Sequence, residues 1–459
     1  MVREKLSVKE LKHQARRYSI KEGIFAHLSG SLGGKYVSPF AIAVNSSNSV
    51  VALLTAVSGL LGPLAQAFSS RLMERYSRKK IVLKAVLFEA LTWSPFIVIA
   101  VLFYFNILIN LLPFLVLFSF SLYTIIGSIA SPAWFSWMGD IVDEKYRGRW
   151  FSKRSLILGF VGGILAIIAA FFLNYFKSRN WTMWGFLILF SLALISRLIS
   201  WRIFKKQYEP KIKLKKGYYF SFWEFVLKAP KTNFGKFTIF RALLGFSTSI
   251  SSALIAIYLL RNLNFNYVTY MIVIFSSSAF SLLVLKFWGM LSDKYGNYRI
   301  LAIVTIAIPL IPILWILSPN PIYLIFVPSL VSGVSWAGFN LAEGNFIYDN
   351  VNPQKRGIVV SYYNVLRGIG IFLGAGLGAI LIKYLVVDFI EPLFLIFLIG
   401  GIIRMIIVFW WIPKMKETRK TERFRSAKAF RSILFKQAKS SFFEEAHEIM
   451  SIKKYLRMK

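Results

Sequence analysis

The sequence predicts an all-α membrane protein: twelve transmembrane helices in two pseudo-symmetric six-helix bundles. Three observations carry that prediction. Hydrophobic residues make up 56% of the 459-residue chain and charged residues only 17%, too few polar side chains to cover a soluble core. Twelve apolar segments follow one another, each long enough to supply the ~20 helical residues that span a bilayer. Short polar clauses also recur at matching places in the two halves.

The segments lie near residues 19–44, 49–70, 81–104, 110–139, 152–176, 182–205, 237–261, 267–291, 299–317, 321–348, 357–385 and 389–413. Lys and Arg gather in alternate loops and in both tails. The opposite loops carry only Lys177, Arg179, Arg261 and Lys383. This bias places the cationic loops and both termini in the cytoplasm, as in a multi-pass protein of the cell membrane. The net charge of +36 is therefore read as orientation and attraction to anionic lipid heads, and nucleic acid is not an expected partner. Cysteine is absent and histidine occurs three times, so no metal site or cofactor is expected. No Gly-rich loop ends in Gly-Lys-Ser/Thr, which leaves an ATP-driven motor unsupported.

The chain divides into a basic N-terminal segment (1–18), a first bundle (19–205), a cytoplasmic connector (206–236), a second bundle (237–413) and a basic C-terminal tail (414–459). The N-terminal segment lacks the apolar run of a signal peptide. In the tail, Phe424, Phe430, Leu434 and Phe442 recur at roughly helical spacing among cations. They predict either a helix on the cytoplasmic leaflet or a solvated tail.

The repeat is legible in three places. "GDIVDEKYRG" (139–148) and "YDNVNPQKRG" (348–357) align Asp140 with Asp349 and Arg147 with Arg356, 209 positions on. "FSSRLMERYSRKK" (68–80) and "FWGMLSDKYGNYR" (287–299) align Glu74 with Asp293, Arg75 with Lys294 and Tyr76 with Tyr295, 219 positions on. "ISRLIS" and "IIRMII" align Arg197 with Arg404. Ordered coincidences in matching topological slots indicate two related six-helix halves.

The loop Gly289-Met-Leu-Ser-Asp293-Lys294-Tyr-Gly296-Asn-Tyr-Arg299 resembles the signature loop of the major facilitator superfamily. In the first copy Ser70 and Ser77 replace glycines and Glu74 replaces the Asp. The clauses Asp140–Arg147 and Asp349–Arg356 resemble the second cytoplasmic motif of that superfamily, with Asp for Glu. The resemblance covers residues 19–413 and implies a twelve-helix transporter that works as a monomer. It also implies that segments 1, 4, 7 and 10 line a central cavity, and that Asp293 faces the start of segment 11.

A cytoplasmic gate is expected at these clauses. Asp140 and Asp349 fall at helix carboxyl ends, an unfavourable place for a carboxylate. A cation from Arg147 or Arg356 downstream, or from Arg75, Arg78, Lys294 or Arg299 on the preceding loops, would relieve it. Exposed pairs contribute only ~0–1 kcal/mol each, which suits a latch that opens and closes. The alternative is topology signalling alone.

The transport pathway is expected where polar residues share one face of a span. In segment 1, His27, Ser31, Lys35, Ser38 and Asn45, spaced by 4, 4, 3 and 7, share one helical face. Segment 7 offers Arg241, segment 10 offers Trp336, Asn340 and Glu343, and segment 11 offers Tyr363, Asn364 and Arg367. Arg197 and Arg404 are read as snorkelling to the cytoplasm. Arg241 has the same reading beside a pathway role. Glu343 and Arg367 are read either as an ion pair between adjacent helices or as transport residues, with Glu22, Glu89 and His27 as further coupling candidates. The expected function is a secondary active transporter for a small solute, a permease or efflux protein, coupled to a proton or another ion and surrounded by lipid. The alternatives are a lipid-modifying enzyme and a receptor or scaffold without transport. The solute leans anionic or zwitterionic because deep cations outnumber deep acids.

Overall fold

The computed structural model describes residues 7–421 apart from 74, 144–146, 211–220, 353–355, 388–389 and 420, and leaves the side chains of 70, 71, 147–149, 152 and 357 undescribed. The predicted helix at 424–443 therefore lies outside the described residues.

All regular structure among the described residues is helical, and every predicted segment falls on helix. Segment 1 is α1 (Val8–Leu32) followed, after a 3₁₀ turn at Gly34–Tyr36, by α2 (Val37–Ala43). Segment 2 is α3 (Asn48–Leu72), and segment 3 is α4 (Arg78–Leu91) with α5 (Trp93–Tyr104). Segments 4, 5 and 6 are α6 (Leu112–Ile141), α7 (Arg147–Ser178) and α8 (Thr182–Lys205). The connector contains the short α9 (Phe222–Lys228). Segment 7 is α10 (Asn233–Ser252), then α11 (Ile255–Ile257) and a π turn over Tyr258–Asn262. Segment 8 is α12 (Tyr267–Tyr295), and segment 9 is α13 (Asn297–Ala307) with α14 (Leu310–Ile316). Segment 10 is α15 (Pro321–Phe326) with α16 (Pro328–Asn350), and segments 11 and 12 are α17 (Arg356–Tyr384) and α18 (Pro392–Trp411). Eleven spans are long and apolar enough to cross a bilayer. The first is not among them: α1 starts in charged sequence and breaks at Gly33.

The breaks have local causes. Pro95 has no N–H for the Leu91 carbonyl, and Ser94 Oγ donates to that carbonyl instead at 2.7 Å. Pro39 likewise cannot serve Lys35, where the 3₁₀ turn sits. Pro309 lies in the break of segment 9, Pro312 in the first turn of α14 has no N–H for the Ile308 carbonyl, and Pro328 opens α16. In lipid, such freed carbonyls are tolerated where side chains or protein neighbours satisfy them.

The chain forms two compact units. The first comprises Met1–Lys216 with Ala253–Met271. Its core holds Phe40, Trp93, Phe96, Phe186 and Phe190, with ring centroids 5.0–6.3 Å apart. Gly33 lies flat against the Trp93 ring, where a Cβ would collide. Within this unit Arg261 donates to Asn48 Oδ1 and to the Ser46 carbonyl.

The second unit comprises Gly217–Ser252 with Ile272–Lys459. Its closest seam joins α10 and α17. Gly370, Gly374 and Gly378, spaced by four on one face, meet the carbonyls of Ala242, Phe246 and Ile250. Small residues let two membrane helices approach this closely, so dispersion and Cα–H contacts replace the hydrophobic drive that lipid does not supply.

Candidate functional site

The cytoplasmic clauses are built on helix ends. In the first unit, Ser77 caps α4 by accepting from Lys80 N at 3.2 Å. The next residue, Arg78, is 5% exposed. It donates to the Asp140 carboxylate, to Ser136 Oγ at 3.2 Å and to the Ser136 carbonyl at 3.1 Å. Glu209, just past α8, accepts from Lys79 N at 3.1 Å, and its carboxylate lies 3.8 Å from Arg78 Nε. An acid at a helix start meets unpaired N–H groups and the positive end of the dipole.

The second unit repeats this plan with different atoms. Gly296 precedes α13 at φ +93°, a conformation that disfavours side chains. Asn297, the next residue, donates to Asp349 Oδ2 at 2.5 Å. Glu417, just past α18, accepts from Tyr298 N at 2.9 Å. Arg78 and Asn297 stand 219 positions apart, Asp140 and Asp349 stand 209, and Glu209 and Glu417 stand 208. The repeated aspartate is therefore held by the first residue of the helix after the signature loop, and a distant acid caps that helix.

Several expected gate residues take other places. Arg356 caps the end of α16, donating to the carbonyls of Tyr348 at 3.3 Å and Val351 at 3.2 Å, instead of pairing with Asp349. The last carbonyls of a helix lack intrahelical partners, and Arg356 satisfies two of them. Asp293 is exposed, and Lys294 lies over the Tyr295 ring at 5.4 Å. Arg299 reaches the Tyr295 carbonyl at 3.1 Å. Gly289 packs near Leu341 inside α12. Arg75 is exposed. Glu74 and the side chain of Arg147 lie outside the described residues.

Within the spans, the second unit assembles a charged cluster from three helices. Arg241 on α10 donates through Nε to Glu343 Oε1 of α16 at 2.8 Å, and Tyr363 OH of α17 donates to the same oxygen. Arg241 and Glu343 are 3% and 7% exposed. The guanidinium also lies over the rings of Trp336 and Phe339, at 5.7 and 5.2 Å. The partner of Glu343 is thus Arg241, and Arg241 does not snorkel. Arg367, one turn beyond Tyr363, is half-buried with no bonding partner for its buried Nε. Asn340, one turn before Glu343, is exposed.

Among the described residues, the spans of the first unit hold two buried ion pairs. Arg154 of α7 donates to Glu22 of α1 at 2.8 Å, and Arg197 of α8 donates to Glu89 of α4 at 2.6 Å. Arg197 therefore turns inward. Arg404, its counterpart, also turns inward but meets no acid among the described residues: it donates to the carbonyls of Ser247 and Thr248 and to Ser251 Oγ, where α10 ends. Desolvated guanidinium in apolar surroundings needs such acceptors more than it gains by reaching an interface. The segment 1 stripe is carried by α1, a 3₁₀ turn and α2 in place of one continuous α-helix, with His27 and Ser31 both facing Gly162. His27 is exposed on α1 beside Gly162, and Lys35 is exposed in the 3₁₀ turn.

The model of the Major Facilitator Superfamily matches residues 23–375 and again 237–447. The chain belongs to this superfamily. It is a membrane transporter of small solutes, not an enzyme. Among solved structures, nucleoside transporter NupG superposes with a TM-score of 0.63 at 16% identity, covering 88% of this chain and 100% of that one. A bacterial homologue of the iron transporter ferroportin, in an inward-facing state, gives 0.64 at 14% identity over 89% and 100%. These likenesses show the shared fold. No curated protein matches the chain in sequence.

Sequence reasoning missed two parts of the transporter. Glu209 and Glu417 went unread because they lie outside the motif loops, yet a signal exists: they follow the paired Arg197 and Arg404 by 12 and 13 positions. Arg78 was among the cations expected for the repeated aspartates, whereas Asn297 went unread because the repeat aligns an amide with that cation.

Proposed function

We propose that this superfamily member is a secondary active transporter working by alternating access in the cell membrane, with Glu343 as its proton-coupling carboxylate. The supporting observation is the Glu343 cluster itself. A carboxylate at membrane depth is costly and marks function more often than architecture. Here it receives Arg241 and Tyr363 on a single oxygen, from two other helices. A proton on Glu343 weakens both contacts at once, so protonation state and helix packing are coupled across α10, α16 and α17. The repeated helix-end networks support a cytoplasmic latch, and the cation bias supports cytoplasmic termini.

In proteoliposomes, Glu343→Gln is expected to abolish pH-driven accumulation while solute exchange down its own gradient persists. Joint loss of both activities would make Glu343 structural or a solute ligand. Accumulation that survives would move coupling to Glu22, Glu89 or His27. Orientation is checked on the natural sequence, which has no cysteine. An impermeant thiol reagent on intact cells should label a cysteine placed at 179 and spare one at 215.

A further inference from the structure

Arg367 is the cation that the Glu343 cluster leaves over. Glu343 is the acid bonded there, and Arg241 and Tyr363 already occupy its Oε1. The backbone of Arg367 is pinned: its carbonyl oxygen lies 3.4 Å from where a Cβ on Gly245 of α10 would stand. The side chain therefore projects from a fixed point on the tightly packed α10–α17 seam. Among the described residues it forms no ion pair, and its buried Nε has no hydrogen-bond partner.

A guanidinium at that depth is expensive. Arg367 lies 11 residues into α17, or ~16 Å along the axis, which is near the middle of a ~30 Å hydrocarbon layer. That depth is beyond lipid head groups. An arginine side chain that reaches water only at a cytoplasmic surface would have its outer atoms there, and snorkelling over such a distance exceeds its length. The cluster carries two cations against one acid, so a single negative group would balance it. The Nε–H edge of a guanidinium presents two parallel donors, a match for two oxygens of a carboxylate or phosphate. Asn364 shares the face of Arg367 at i−3, and Asn340 shares that of Glu343, so neutral donors and acceptors flank the charge.

We propose that Arg367 is the anchor for an oxyanion on the transported solute, a small molecule bearing a carboxylate or a phosphate. The inference rests on the transporter reading and adds the chemical class of the solute. Arg241 is the structural partner of Glu343, and Arg367 is the ligand-facing one. Neutral sugars and organic cations lack the group that balances Arg367.

The test uses purified full-length protein and thermal unfolding at constant ionic strength. Lactate and succinate form the carboxylate arm, inorganic phosphate and glycerol 3-phosphate the phosphate arm, and glucose and choline the controls. At least one oxyanion should raise Tm saturably, with glucose and choline inert, and the responding arm identifies the group. Arg367→Gln should lose the response, and Arg367→Lys should keep it with affinity weaker by about tenfold or more. The ligand-free Tm of Arg367→Gln should stay near that of the native chain, because no bonded partner is orphaned. If that variant does not fold, the Arg367→Lys titration carries the test alone. A Tm rise that is equal in native and variant proteins, or absent for every oxyanion, overturns the proposal. Counterflow in proteoliposomes separates the two readings. Counterflow of glucose or choline with no oxyanion response keeps the transporter and removes the anion. Oxyanion binding that requires Arg367 without counterflow of any solute keeps the site and removes transport.

Discussion

The two units solve one problem in opposite ways. Each must hold arginines inside a span. The first unit matches acid to cation: Glu22 with Arg154 and Glu89 with Arg197, on four different helices. The second gives Arg404, which occupies the slot of Arg197, backbone carbonyls and a hydroxyl instead. It concentrates its bonded acid, Glu343, where Arg241 and Arg367 converge. Matched pairs lock helices together and balance each buried charge, although Arg197 Nε itself stays unbonded. Carbonyls satisfy an arginine by direction while keeping its charge unneutralised. On the function proposed above, the comparison separates a unit whose buried charges are paired off from one whose charges are open to a proton and a solute.

The same substitution at the two paired slots tests this most directly. Arg197→Met strands Glu89 as a buried charge and is expected to cost about 3–5 kcal/mol, read as a large fall in Tm in detergent. Adding Glu89→Leu should restore most of it, since removing both partners of a buried pair is often neutral. Arg404→Met strands only carbonyls at the end of α10 and should cost less, about 1–3 kcal/mol. Equal losses at the two positions would erase the distinction between the units.

The seams give the next contrast. The α10–α17 contact depends on glycine meeting carbonyl, so Gly374→Ala drives a methyl into the Phe246 carbonyl and should cost about 1–3 kcal/mol by overpacking. Gly376, two residues on, faces open space, and Gly376→Ala should leave Tm nearly unchanged. A similar loss at both would place the seam elsewhere.

The smallest effect belongs to the helix-end networks. Asp140 is held by a cation and Asp349 by an amide. Arg78→Gln should therefore open the cytoplasmic face more than Asn297→Ala, by about 1 kcal/mol or a few-fold in thiol accessibility. Added salt should mimic neither change, because Arg78 is buried and a buried pair is screened little. Insensitivity of accessibility to both substitutions would leave these clauses as topology signals.

Much of the architecture was legible because hydrophobic length, cation placement and repeat spacing are local properties of a chain in lipid. Backbone groups must bond within their own helix in hydrocarbon, so a run of ~20 apolar residues already implies its structure. Asp140 and Asp349 were legible for the same reason, as polar clauses at helix ends. The candidate site was legible by residue and not by partnership. Glu343, Arg241 and Arg367 all stand out as charges within apolar runs. Nothing local says that Arg241, 102 positions away, takes Glu343 while the closer Arg367 is left over.

The sequence by itself determined the twelve-segment order, the two-half repeat and the ionisable groups that lie within the spans. Each follows from composition and spacing along the chain. The tertiary structure alone decided that α1 ends at Gly33 against Trp93 and passes into a 3₁₀ turn carrying Lys35. It also decided that Glu209 and Glu417 reach back across their units to cap α4 and α13. Ion pairing is short-ranged and directional, so a partner is chosen by which helices pack together, and that depends on three-dimensional contacts no single segment encodes.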